Sequence, residues 1–181
     1  MKQIRQLAVV ISILVITGLF TTQATAQTNF ERGQIGINAG FAYGFDMEEP
    51  GIRVGATYFL SENIRVGADL TYWLVDSDMD YDMGVDITFL EFNGNFHYLF
   101  LQENGLIIYG IGALGLHYAD VSYDMEEWGG PSYGYSDTEL GLGIGGGIEY
   151  SLGGVSIFAE PKLFLSGFDQ LKFNAGVRFY L

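Results

Sequence analysis

Several groups of residues in this chain have the types and spacings that chemistry uses. Asp76, Asp78 and Asp80, in the run DSDMDYD, stand at the spacing of the first three ligands of a calcium-binding loop. The sixth position of such a loop needs glycine and here is Tyr81. The twelfth needs glutamate and here is Ile87, so the pattern fails. What remains is an acidic segment that could attract Ca²⁺ or Mg²⁺ weakly. His97 and His117 are the only histidines. Nucleophilic hydrolysis would need a serine, a histidine and an acid on one face. No serine shares the alternation phase of His97, whereas His117 has Ser122 and several acids near it in sequence. The glycine-rich run from Gly141 to Gly147 lacks the Lys-Ser/Thr pair of a phosphate-binding loop. There is no cysteine, which excludes disulfides, thiolate metal sites and a cysteine nucleophile. The largest set is a scatter of charges: Arg53, Arg65, Asp69, Glu91, Glu149, Glu160, Lys162, Lys172 and Arg178. Each sits at every second position among apolar residues, and that placement asks what elements carry them.

The elements read as strands. The chain ends LKFNAGVRFYL, with Leu171, Phe173, Ala175, Val177, Phe179 and Leu181 in one phase and Lys172, Asn174, Gly176, Arg178 and Tyr180 in the other. Strict period two is a strand with one apolar and one polar face. Seven more such segments precede it. They run over Gly33 to Phe45, Gly51 to Leu60, Ile64 to Val75, about Asp86 to Phe100, Leu106 to Tyr118, Glu139 to Tyr150 and Val155 to Leu165. The fifth is ambiguous. Leu114, Leu116 and Tyr118 argue one outward phase, and Tyr109, Ile111 and Ala113 the opposite one, a conflict that a β-bulge would resolve. Pro161, inside the seventh, removes a ladder donor and predicts a bulge or other irregularity. Residues 1 to 26 stand apart. Lys2 and Arg5 precede an apolar stretch from Leu7 to Phe20, and Ala24-Thr25-Ala26 fits a signal-peptidase site. The expected mature chain, 27–181, is one domain with no helix.

Which face meets which medium follows from the charges. After the leader, every Lys and Arg except Arg32 falls in the polar phase: Arg53, Arg65, Lys162, Lys172 and Arg178. Asp69, Glu91, Glu149 and Glu160 share it. The opposite phase is nearly all Ile, Val, Leu, Ala, Phe and Tyr. A soluble ligand-binding barrel keeps the apolar phase inside. A membrane barrel turns it to lipid, where one misplaced Lys or Arg at mid-bilayer costs roughly 2–4 kcal/mol. Strands of about ten residues, tilted, cross the bilayer core. Tyr43, Phe45, Tyr58, Tyr72, Tyr98, Tyr150, Phe179 and Tyr180 stand near strand ends, as interfacial girdles do. The links alternate in length. Those on the far side from the termini carry thirteen Asp and Glu and no Lys or Arg, the longest being Ala119 to Thr138. With six Lys and Arg against 22 Asp and Glu after residue 26, the net charge is −16, which argues against a nucleic-acid partner.

Eight alternating strands, short turns opposite longer acidic loops and an alternating C-terminal strand resemble the small eight-stranded outer-membrane β-barrel family of OmpX/OmpA type, across the whole chain after the leader. The expected fold is all-β, an antiparallel up-and-down transmembrane barrel in a Gram-negative outer membrane. The chain departs from the family pattern in ending on Leu181, where an aromatic residue is commonest. The resemblance implies a monomer among outer-membrane lipids and lipopolysaccharide, inserted by the barrel-assembly machinery, with no cofactor. An eight-stranded lumen is just wide enough for its own side chains. The nine charges are therefore expected to form a paired structural network, with Phe158, Phe164 and Trp73 filling further space. The expected function is structural or surface-interactive and non-enzymatic. A narrow porin-like channel and a lipid-hydrolysing enzyme are the alternatives. Acidic loops bridged by divalent ions to lipopolysaccharide phosphates are a further possibility that the sequence leaves open.

Overall fold

The computed structural model describes residues 30–75, 84–124, 133–166 and 169–181. The leader, the Asp76–Asp80 motif and residues 125–132 of the longest link lie outside the described residues. Eight strands form: β1 (Ile35–Gly44), β2 (Glu49–Ser61), β3 (Ile64–Trp73), β4 (Gly84–Glu103), β5 (Leu106–Asp124), β6 (Tyr133–Ser151), β7 (Val155–Phe164) and β8 (Gln170–Tyr180). They pair in sequence order, all antiparallel, and β8 returns to β1 to close the barrel. Closure leaves the membrane-spanning part without an edge, as a hydrocarbon medium requires.

The short turns show why the chain reverses where it does. Asn104 and Gly105 both adopt positive φ, 52° and 82°, between Glu103 and Leu106. That is the two-residue turn whose twist matches antiparallel strands. Gly153, at φ 101°, serves the turn between β6 and β7. At the β1–β8 seam Gly40 stands opposite Gly176. A Cβ on Gly40 would lie 2.2 Å from the Ala175 carbonyl oxygen, and one on Gly176 would lie 2.3 Å from that of Ala39. Backbone cannot yield as a side-chain tip does. Gly40→Val should therefore cost about 1–3 kcal/mol by overpacking. Heat-modifiable gel mobility checks it: a smaller fraction of refolded protein should run as the compact form, and an unchanged fraction would refute the close-approach argument.

One irregularity falls elsewhere than the alternation indicates, and one falls where Pro161 places it. β5 holds one phase throughout. Ile107, Tyr109, Ile111 and Ala113 face the lumen, and Leu114, Leu116 and Tyr118 face out. There is no bulge in β5. In its ladder with β4 the register shift lies on the β4 side, between Leu99 and Leu101, where Leu99 points in and both Phe100 and Leu101 are exposed, and β2 carries another between Phe59 and Ser61. Pro161 causes a gap rather than a bulge. Pairing of β6 with β7 stops after Gly145↔Lys162 and resumes in the same register at Ile148↔Ala159. The bonds Leu152 N–H to Val155 O and Leu165 N–H to Leu142 O set the alternation. In that alternation Pro161 stands where a donor to Gly146 belongs, and proline has none.

The strands are also longer than their alternation suggests. β4, β5 and β6 run for 20, 19 and 19 residues. The segments 84–88, 119–124 and 133–138 extend as a three-stranded sheet beyond the level where β3 and β7 end. The outer face of the barrel is apolar, with Ile37, Phe41, Val54, Leu114, Leu142, Ile144 and Leu163 exposed. Tyrosines and phenylalanines ring both ends. Tyr43 meets Phe45 edge-on near the loops, and Tyr98 meets Phe100 likewise near the short turns.

Candidate functional site

Among the described residues, the lumen is where buried charged side chains are gathered. All nine predicted charges, Arg53, Arg65, Asp69, Glu91, Glu149, Glu160, Lys162, Lys172 and Arg178, are buried in it. Each comes from the polar phase of a strand, so closure of the barrel brings together residues far apart in sequence. At the centre Glu149 of β6 accepts from both Arg65 (2.9 Å) and Arg178. The Tyr180 hydroxyl also bonds Glu149 and lies 2.9 Å from Arg65 Nη1. Arg178 reaches on to Glu160 at 3.1 Å. Glu160 is 3.3 Å from Arg53, which pairs with Asp69 at 2.9 Å. Lys162 donates to Asn95 Oδ1 at 2.7 Å and lies 3.6 Å from Asp69, which also accepts from Asn93 and Asn95. Four cations thus face three carboxylates in one connected network, and Asn93, which donates to both Asp69 and Glu91, joins the Lys172–Glu91 pair to it. Removing two charges from water costs several kcal/mol per ion unless pairing and hydrogen bonds compensate. Here each carboxylate has at least one cationic partner.

Aromatic rings fill the spaces between the ions. The Arg65 guanidinium lies 4.3 Å from the Tyr109 ring centroid, and that of Arg178 4.7 Å from Phe158. Such contacts contribute about 0.5–1 kcal/mol at exposed sites and about 2 kcal/mol when desolvated. Toward the loops Lys172 pairs with Glu91, and His117 Nδ1 lies 3.8 Å from the same carboxylate. Trp73, Phe89 and Phe164 are buried around this group. Toward the short turns the polar filling gives way to Phe30, Phe59, Leu99, Ile107, Tyr109 and Ile111. Among the described residues, buried side chains thus extend from the loop end to the short-turn end.

A closed eight-stranded barrel, apolar outside and ionic inside, is the architecture of outer-membrane proteins. The family model for the outer membrane protein beta-barrel domain matches residues 12–179. The chain belongs to this outer-membrane β-barrel family. It is a protein of the bacterial outer membrane. Among solved structures it is similar to the N-terminal β-barrel domain of OprF of Pseudomonas aeruginosa, at 13% identity and TM-score 0.59, covering 84% of this chain and 100% of that one. Ail, the attachment invasion locus protein of Yersinia pestis, aligns at 14% identity and TM-score 0.58, over 83% of this chain and 99% of that one. Neisserial surface protein A aligns at 20% identity and TM-score 0.56, over 81% and 94%. At such identities these likenesses speak to fold. No curated protein matches the chain.

In this outer-membrane barrel the residues considered for chemistry are dispersed. His97 is buried, with its Nδ1 accepting from Arg65 Nε at 2.7 Å and its ring stacked on Tyr109. His117 faces the lumen, whereas Ser122 lies five residues on, in the opposite phase of the same strand. Among the described residues no group of three His, Asp and Glu is placed to hold a metal ion. Tyr180, counted in sequence with the interfacial girdle, instead turns inward to Glu149. Tyr109, whose hydroxyl donates to Glu160 at 2.8 Å, and Phe30 are lumen residues that the alternation pattern missed. Tyr109 carried a signal, because it shares the phase of His117 in β5. Phe30 carried none, because it precedes every strand.

Proposed function

We propose that this protein is a non-conducting, non-enzymatic outer-membrane barrel with a structural and surface-interaction role. The carrying observation is the lumen. Glu149, Glu160 and Asp69 are each locked to two cations, and Phe158, Phe164 and Trp73 occupy the remaining section. A barrel of this strand number has little space beyond its own side chains. Its lipid-facing surface suits a monomer among outer-membrane lipids and lipopolysaccharide, inserted by the barrel-assembly machinery.

The surface presented to a partner is the projecting sheet of β4, β5 and β6. Residues 134–140 of β6 are exposed on both faces. Among the described residues no strand pairs with them on the side away from β5. Such an edge offers backbone donors and acceptors to an added strand. Asp137 already accepts from the Thr138 backbone N–H at 2.8 Å and so covers one donor. Asp120, Asp137 and Glu139 favour an extended partner segment bearing Lys or Arg. Ail has been solved with the heparin analogue sucrose octasulfate, a polyanion. The far-side links here hold thirteen acids and no Lys or Arg, so a polyanion is the wrong chemistry for this chain.

Planar-bilayer recording of the folded, heat-modifiable protein tests the closed lumen. No reproducible conductance step is expected, and stable unitary steps would install the narrow-channel reading instead. In the same preparation, release of fatty acid from phospholipid that disappears in a His117→Ala variant would overturn the non-enzymatic assignment.

A further inference from the structure

The short-turn mouth of the barrel is closed by a residue that belongs to no strand. Phe30 is 1% exposed, while Glu31, Arg32 and Gly33 beside it are exposed. The segment folds back to place it. Gly33, at φ 94°, reverses the chain. Its N–H donates to the Phe59 carbonyl at 2.8 Å, and the Gln34 N–H donates to the Glu31 carbonyl at 3.1 Å. The Phe30 ring stacks on Phe59 with centroids 4.4 Å apart and planes 16° apart, and it meets Tyr180 at 4.7 Å. The cluster it completes contains Phe59 of β2, Leu99 of β4, and Ile107, Tyr109 and Ile111 of β5. Immediately above this layer lies the ionic network, since Tyr180 bonds both Arg65 and Glu149, and Arg65 lies over the rings of Phe59 and Tyr109.

We propose that this aromatic mouth is a binding site for the chain's own Phe30, and that residues 30–33 form a detachable cork, hinged at Gln34, whose carbonyl stays bonded to the Phe59 N–H at 3.0 Å. The cork keeps periplasmic water from the Arg65–Glu149–Arg178 network. The physical case is one of contrast. Each strand is held along both sides by ladders of many residue pairs, whereas the cork is held by one buried ring and two backbone hydrogen bonds, so it is the cheapest part of the seal to open. Seated, it completes an apolar layer that shields ion pairs from solvent, where they are stronger. Displaced, it exposes that layer without unpairing any strand. This inference concerns the end opposite the projecting sheet and stands whether or not that sheet binds a partner.

The absence of native cysteine makes the test clean. Ile107 is fully buried beside the cork, and Ile107→Cys provides a single thiol there. Its reaction with a charged, membrane-impermeant thiol reagent is followed on protein that retains heat-modifiable mobility. Adding Phe30→Ala should raise the labelling rate by at least about tenfold, the population change that corresponds to losing one buried ring. Phe30→Trp should keep the slow rate. Leu99→Cys serves as the second probe should Ile107→Cys fail to fold. Equal rates with Phe30 and with Phe30→Ala at the working probe would overturn the cork. So would fast labelling in Phe30→Trp, because the site would then not be one for an aromatic ring.

Discussion

Replacing Glu149 by leucine should destabilise the folded barrel by about 3–5 kcal/mol, the cost of leaving a buried charge without its partner. Glu149 is the shared acceptor of Arg65, Arg178 and the Tyr180 hydroxyl. The two arginines would not suffer equally. Arg178 keeps Glu160 at 3.1 Å. Arg65 would be left with His97 Nδ1 and the Tyr180 hydroxyl, neither of them a carboxylate. The penalty should therefore fall mainly on Arg65. It should shrink in the double variant Arg65→Met/Glu149→Leu, because removing both partners of a buried pair is far cheaper than removing one. Glu149→Gln should lie between, since its amide oxygen still accepts hydrogen bonds. Urea unfolding in lipid vesicles, followed by heat-modifiable mobility, measures all three. A single Glu149→Leu variant as stable as the parent would show that the network is hydrated rather than held by its pairs. A double variant no better than the single would remove Arg65 as the residue at risk.

How far the sequence specifies this arrangement depends on how strongly each residue is forced. Arg65 and Asp69 in β3 could be assigned inward because the alternative is a charge in hydrocarbon. Their neighbours Val66 and Leu70 then had to face out. β5 was illegible for the converse reason. The lumen tolerates apolar groups, and Ile107, Tyr109 and Ile111 go inside to pack under Phe30 and against Arg65. Alternation cannot distinguish an apolar residue facing lipid from one facing a cork. The projecting parts of β5 and β6 read as a link from Ala119 to Thr138, because Gly134 to Thr138 are exposed on both faces and neither face imposes a pattern. Closure of β8 between β7 and β1 was legible from its unbroken alternation. The choice of partners was not. That Arg178 meets both Glu149 and Glu160 while Lys172 meets Glu91 depends on the stagger between strands, which no local pattern encodes.

The sharpest consequence of that stagger and phase is that arginine is required at position 53 and excluded at position 54. Arg53 is 2% exposed, paired with Asp69 and Glu160. Val54, one residue on, is 51% exposed on the outer face, between Ala39 of β1 and Leu70 of β3. It lies four residues from Tyr58, in the middle of the apolar band. Val54→Arg should therefore cost about 2–4 kcal/mol, the depth-dependent penalty for arginine on the lipid face of a barrel. The same side chain one position earlier is stabilised by two carboxylates. A solvent-facing arginine at an exposed position would instead change stability by no more than about 0.5 kcal/mol. The experiment compares unfolding in vesicles with unfolding in a short-chain detergent. The loss should be large in the bilayer and smaller in micelles, where a guanidinium reaches water more easily by extending its stem. A Val54→Arg barrel that folds into vesicles as well as the parent would mean that this face does not meet hydrocarbon. The assignment of inside and outside on β2 would then have to be reversed.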